Sequence, residues 1–115
     1  MKKITILILL LTFSFSSNTF AFTELQTGKI TGYSPYHWQG NQVIIFRIEN
    51  NASSACNTTG RFAISGTHVN YEGFVATILA AYHSKETVTV RYNANCNMFP
   101  NSYDLYALCV GTMVC

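Results

Sequence analysis

The chain has 115 residues, 10% of them charged and 49% hydrophobic, with a formal net charge of +2 at neutral pH. Two of its seven cationic residues, Lys2 and Lys3, open the chain, which leaves five cations against five carboxylates in the remainder. With that balance and no basic run, neither nucleic acid nor an anionic membrane surface is an expected partner, and the many Tyr, Asn, Ser and Thr residues suit a neutral or hydrogen-bonding one.

Lys2-Lys3, the apolar run Ile4–Leu11 and the small-x-small triplet Thr19-Phe20-Ala21 follow the pattern of a bacterial secretory signal. Residues 1–21 are therefore read as a signal peptide and residues 22–115 as one exported domain, secreted or periplasmic in a Gram-negative bacterium. The apolar run is too short to span a membrane, so membrane insertion is not expected. Sequons at Asn51 and Asn57 would matter only in a eukaryotic secretory pathway and are discounted.

Gly28–Tyr36 reads as a first strand and Gln42–Glu49, with Val43, Ile44, Ile45, Phe46 and Ile48, as a strongly apolar second one. Pro35 and the Gln39-Gly40-Asn41 cluster supply turn chemistry between them, which predicts a long hairpin. Asn50–Gly60 is a polar loop containing Cys56, and Arg61–Ser65 a short third strand. Next comes the one helical pattern: Tyr71, Phe74, Val75, Ile78, Leu79 and Tyr82 recur at the spacing that faces a core, with Asn70 as expected N-cap and Glu72 in the first turn. The other face carries Gly73, Ala76, Thr77, Ala80 and Ala81 instead of charges. Small residues there either reflect helix propensity or admit close approach of a symmetry-related copy. Thr87–Tyr92 alternates Val88, Val90 and Tyr92 against Thr87, Thr89 and Arg91, a half-buried strand. After a turn-rich loop around Cys96 and Pro100, Tyr103–Val110 is the last strand.

Three strands, one helix and two strands is the order of an OB-fold, a five-stranded Greek-key barrel with its helix between strands 3 and 4. An α+β roll of the same order is the alternative. Four cysteines, Cys56, Cys96, Cys109 and Cys115, lie in the exported part, so two disulfides are expected. Of three possible connectivities, Cys56–Cys96 with Cys109–Cys115 is favoured. No CxxC occurs and no His neighbours a cysteine, so no metal or other cofactor is expected.

His37, His68 and His83 stand in no catalytic motif and are read as surface or capping residues; no catalysis is expected. Aromatic residues carry more information. Tyr33, Tyr36, Trp38, Tyr92, Tyr103 and Tyr106 each pair a flat apolar face with a polar tip, the surface a sugar ring needs, although most are also suited to filling a small barrel.

On these elements the chain resembles the B subunit of subtilase cytotoxin and the related pertussis-like B subunits of AB5 toxins. Gly28-Lys29-Ile30-Thr31-Gly32 matches a first-strand segment that carries a sugar-contacting serine there, with Thr31 in its place. Ser54-Ala55-Cys56 matches a stretch before the third strand. The run from Tyr82 through Val88 and Val90 to Tyr92 resembles the end of the family's helix and the following strand, whose tyrosine lies at the sugar pocket. The Cys109 to Cys115 spacing is similar to a C-terminal disulfide. Cys96 departs from the subtilase-type arrangement. The resemblance implies a homopentamer that binds host glycans, often sialylated, and escorts a catalytic A subunit, with helices at a central pore. It places Thr31, Tyr33 and Tyr92 at the sugar site, Tyr36 and Trp38 at its rim, and Gly73, Ala76, Thr77 and Ala80 at the subunit interface. Alternation is expected to put Thr31 and Tyr33 on one strand face. The rival reading is a monomeric periplasmic or secreted protein-binding module, of inhibitor or immunity type, on the same fold.

Overall fold

The computed structural model describes residues 23–51 and 53–115; the expected signal peptide, residues 1–21, lies outside them. Five strands and one helix follow in order: β1 Glu24–Trp38, β2 Asn41–Ile48, β3 Phe62–Ser65, α1 Tyr71–Ser84, β4 Thr87–Asn93 and β5 Tyr103–Val110. The strands close into a barrel in the order β1-β2-β3-β5-β4, with β3 and β5 parallel and every other pair antiparallel. Order, closure and helix position follow the OB-fold plan.

Closure depends on β1, whose 15 residues serve two partners. Glu24–Lys29 pair with β4, and Ile30–Trp38 pair with β2. Gly28 sits where the chain turns from one to the other: an added Cβ would lie 2.7 Å from the Glu49 carbonyl oxygen, so a side chain there would push the end of β2 away. The hairpin turn is tighter than the sequence reading held. Only Gln39 and Gly40 form it, both at positive φ (50° and 78°), the two-residue turn whose twist matches paired strands. Pro35 belongs to no turn; it pairs with Ile44 inside β1. A proline is tolerated there because this half of β1 is bonded on one side only and needs no N–H toward the other.

The helix seats Ile78 and Ala81 in the core, with Tyr71, Phe74, Val75 and Tyr82 half-buried against it. Ala81 therefore leaves the small outer face expected for it, because it lies three residues after Ile78 and so on the same side of the helix. Asn70 occupies the cap position but its side chain bonds no helix N–H. The start is braced instead by His68, whose Nδ1 accepts the Asn70 N–H at 3.0 Å and whose ring meets Phe74 edge-on. At the other end Lys85 adopts the left-handed conformation, and the N–H groups of Lys85 and Glu86 return to the carbonyls of Tyr82 and Ala81, closing the helix as a Schellman turn.

β2 is buried on both faces. Ile44, Phe46 and Ile48 join the barrel core with Phe62, Ile64, Val88, Val90 and Leu105, whereas Val43 and Ile45 form a second, outer cluster with Ala63 and Phe99. The segment between β4 and β5 folds back to supply Phe99. Its cysteine, Cys96, is bonded to Cys56, and Cys109 to Cys115. Asn57, fully buried, accepts the Arg61 N–H at 3.0 Å on its side-chain oxygen, so in the folded chain this sequon asparagine is a brace and no glycan acceptor.

The Cys56–Cys96 link closes a sequence separation of 40 and the Cys109–Cys115 link one of 6, worth about 4 and about 2 kcal/mol in the loop-entropy account. Replacing both Cys56 and Cys96 by Ala is predicted to lower the melting temperature by more than about 15 °C, and the Cys109/Cys115 double replacement by roughly half as much. Scanning calorimetry of the two double variants checks the order, which equal or reversed losses would contradict.

Candidate functional site

The face of β1 that carries the candidate residues is decided by one irregularity. Ile30 pairs with Ile48 and Gly32 with Arg47, which leaves Thr31 as the extra residue of a β-bulge. Simple alternation would put Thr31 and Tyr33 side by side. The bulge instead turns Ile30 and Tyr33 both toward the core and leaves Thr31 exposed. Tyr33 sends its ring to the helix, edge-on to Tyr82 at 5.3 Å, with its hydroxyl 3.5 Å from His83 Nε2.

Beyond the bulge, Tyr36 and Trp38 share the outer face with Val43. Both rings rest edge-on against Phe99, at 5.2 and 5.7 Å between centroids, yet Tyr36 remains 53% and Trp38 37% exposed. They are rigid on one side and open on the other. Phe99 also receives the Arg61 guanidinium at 5.3 Å from its ring centre. An open groove of 460 Å³ runs along this face, lined by Thr31, Ser34, Tyr36, Ile45, Arg47 and Arg61 among others, with Tyr33 also bordering it.

Arg47 and Arg61 are both tied to Thr59. Arg47 Nε donates to the Thr59 carbonyl at 3.1 Å, and Arg61 Nε to the Thr59 hydroxyl at 2.7 Å. Burial, and after it the charge of Arg47, push the Arg61 guanidinium below its ordinary pKa. Hydroxyls, a half-open phenol and two guanidiniums thus converge on one groove.

Tyr92 is not part of it. The alternation that buries Val88 and Val90 also buries Tyr92, which stacks on Tyr103 at 4.9 Å between centroids and donates its hydroxyl to the Glu24 carboxylate at 2.8 Å. Burial first, then that bond, raise its phenol pKa. A side chain only 4% exposed offers no ring to a ligand. The expectation that Tyr92 joins Thr31 at a sugar site is thereby corrected; it is a core residue with a bonded tip.

A larger hollow of 860 Å³ lies between the hairpin and the helix, lined by Pro35, Tyr36, His37, Tyr71, Val75 and Leu79 among others. Pro35, Val75, Ala76 and Leu79 give it apolar walls, His37, Gln42, Tyr71 and Glu72 add polar groups, and neither arginine borders it. Of the small helix residues, Gly73, Ala76 and Ala80 are exposed, while Thr77 is half-buried with its hydroxyl bonded to the Gly73 carbonyl at 2.8 Å. Among the described residues no cluster of three or more His, Cys, Asp or Glu side chains could hold a metal ion, and no helix is long and apolar enough to cross a membrane.

Phe99, Arg47 and Arg61 are the site residues that the sequence reading missed. A signal for Phe99 was present: β2 is apolar at four consecutive positions, Val43–Phe46, which demands cover on both faces, and Met98-Phe99-Pro100 is an apolar run inside an otherwise polar loop. Nothing comparable marked the two arginines. No protein-family model matches the chain, nor does any curated protein.

Asp104 holds the Phe99 segment in place, since one carboxylate oxygen accepts the N–H groups of Asn97 and Met98, each at 2.9 Å. Burial outweighs these bonds and raises its pKa. A folded-state value above the unfolded one means that stability is fullest below the unfolded pKa and declines as pH rises through the folded pKa. Relative to Asp104→Asn, which keeps an acceptor but does not titrate, the unaltered protein is predicted to gain melting temperature as pH is lowered from neutral into the mildly acid range. Parallel thermal melts of both proteins test the sign.

Proposed function

We propose that the protein is an exported, non-catalytic glycan-binding subunit of the AB5 B-subunit kind, which presents the outer face of the β1–β2 hairpin to carbohydrate. The observation that carries this reading is the exposed ring of Tyr36, mounted on Phe99 beside the hydroxyls of Thr31 and Ser34, with Trp38 resting on the same Phe99 further along the face. Sugar rings bind where a flat apolar surface adjoins directional hydrogen-bonding groups, and holding the aromatic rings in place beforehand lowers the entropy lost on binding. The two disulfides support export to an oxidising compartment, secreted or periplasmic. The barrel order supports the resemblance, and the open face of Gly73, Ala76 and Ala80 supports assembly of copies into a ring, homopentameric by that resemblance, beside a possible catalytic A subunit.

Two measurements test it. On a glycan array the exported domain is expected to bind at least one oligosaccharide class. Tyr36→Ala should weaken each site by roughly 1 kcal/mol, about fivefold, and Thr31→Ala by roughly 0.5–1.5 kcal/mol if its hydroxyl bonds the sugar. Ring assembly multiplies such losses through effective concentration. In sedimentation the protein is expected to be oligomeric, and Ala76→Glu to shift it toward monomer, because an unpaired charge in a closely packed contact is costly. A monomer at micromolar concentration with no glycan ligand would favour the protein-binding module instead.

A further inference from the structure

We propose that a pocket at the tip of the β1–β2 hairpin binds a small organic cation through its primary ammonium group, with the buried carboxylate of Asp104 as counter-ion and Trp38 at its border. The site shares no lining residue with the outer groove and does not rest on the glycan-binding reading.

The pocket has a volume of 390 Å³, within the range of small-ligand sites, and lies where the hairpin tip meets the end of β3 and the start of β5. Trp38, Asn41, Ser65, Thr67, Asn97 and Asp104 border it. Asp104 is only 5% exposed, yet among the described residues it has no ion-pair partner, and no Lys, Arg or His lines the pocket. A carboxylate so deeply buried ordinarily has a cation beside it, because its charge is costly to take out of water. Here the place beside it is a cavity.

A purely structural account covers one oxygen. Oδ1 accepts the N–H groups of Asn97 and Met98, a brace that the amide oxygen of an asparagine could supply without any charge. Ionisation strengthens such bonds, but burial outweighs them and the help of the neutral Asn97 side chain, so the charged form is disfavoured in the empty pocket. A cation held against the carboxylate reverses that balance. An ammonium group has three donors, which Asp104 and the neutral oxygens of Asn41, Asn97, Ser65 and Thr67 are placed to share. The indole of Trp38 suits the cation itself, and Val43 and Met98 give apolar contact to its carbon part. A metal ion fits less well, since calcium takes about six to eight oxygens and the pocket supplies a single carboxylate, half of it already committed to two N–H groups. Quaternary ammonium ions are held in cages of several rings, and here one aromatic side chain lines the pocket.

Trp38 is the chain's one tryptophan, so its fluorescence reports on the pocket directly. The protein is titrated at constant ionic strength with putrescine and with glucosamine, with N-acetylglucosamine as the same sugar lacking the ammonium, and with tetramethylammonium and calcium as rival cations; ligand-observed NMR gives a second readout. At least one primary amine is expected to shift the Trp38 emission saturably, about tenfold or more tightly than N-acetylglucosamine. Asp104→Asn, which keeps the acceptor for the two N–H groups, should weaken that binding by a similar factor, with an unchanged near-ultraviolet circular dichroism spectrum verifying that the Phe99 segment holds. Asn41→Lys, at an exposed position on the rim, tethers an ammonium beside Asp104 and should abolish the response without touching the core. That variant decides the matter if Asp104→Asn does not fold. Tighter binding of glucosamine than of putrescine would assign the neutral oxygens to ligand hydroxyls, and the reverse would assign the apolar walls to an alkyl chain. Equal binding of glucosamine and its acetylated form, a response to calcium or tetramethylammonium in place of the primary amines, amine binding that survives Asn41→Lys, or silence in both readouts each overturns the proposal. None of these outcomes bears on the outer groove, whose glycan array is read separately.

Discussion

Barrel closure through β1 is the constraint on which the rest of the molecule depends. One strand pairs with β4 over Glu24–Lys29 and with β2 over Ile30–Trp38, and the change of partner needs a glycine at the close approach to Glu49 and an extra residue at Thr31. The extra residue reverses which side chains face inward from that point on. In unbroken alternation from Ile30 through Thr31, Tyr33 would face out and Tyr36 and Trp38 would face in, away from Phe99. A single inserted position therefore sets both the closure of the barrel and the composition of its outer face.

The second consequence concerns cover. A strand whose residues are buried on both faces cannot sit on the outside of a bare barrel, and Val43 and Ile45 would leave an apolar strip in water. The segment from Ala94 to Ser102 resolves this by folding over them, with Phe99 inserted, Cys96 tied to Cys56, and Asp104 accepting two of its N–H groups. Phe99 then serves as a platform for Tyr36, Trp38 and Arg61. The same ring that seals the outer cluster holds the exposed aromatic residues still.

Element order, barrel class and the presence of two disulfides were legible in the sequence because each rests on a local signal: alternation at Val88, Val90 and Tyr92, a helical repeat from Tyr71 to Tyr82, and an even cysteine count, which leaves three pairings open. Facing was less legible. A bulge has no reliable residue signature, so the pairing of Thr31 with Tyr33 on one face failed although the strand itself was found. Tyr92 shows a different limit. Its alternation with Val88 and Val90 already placed it inside, and the resemblance drew it outward to a sugar site against that local evidence. Ala81 differs again, since counting from Ile78 at three residues would have assigned it to the core. Arg47 and Arg61 are separated by a loop, and only the pairing of β1, β2 and β3 brings them to one groove.

The division of surfaces bears on how weak individual sites can act together. No residue of α1 lines the groove at Arg47 and Arg61, and neither arginine lines the hollow beside the helix. Contact between copies through Ala76 and Ala80 would therefore leave the arginines open, and each added copy would present another groove of the same kind. A groove that is shallow, half-solvated and built from one platform ring gives modest affinity alone, because an open site expels little water and keeps few groups fully desolvated. Repetition compensates only if assembly spares the groove, and the barrel meets that condition by separating helix and arginines. Tyr36 is the exception, since it borders both concavities. Of the residues that line the groove it alone also lines the hollow beside the helix, so a copy seated over that hollow would meet the same side chain that a ligand in the groove would meet.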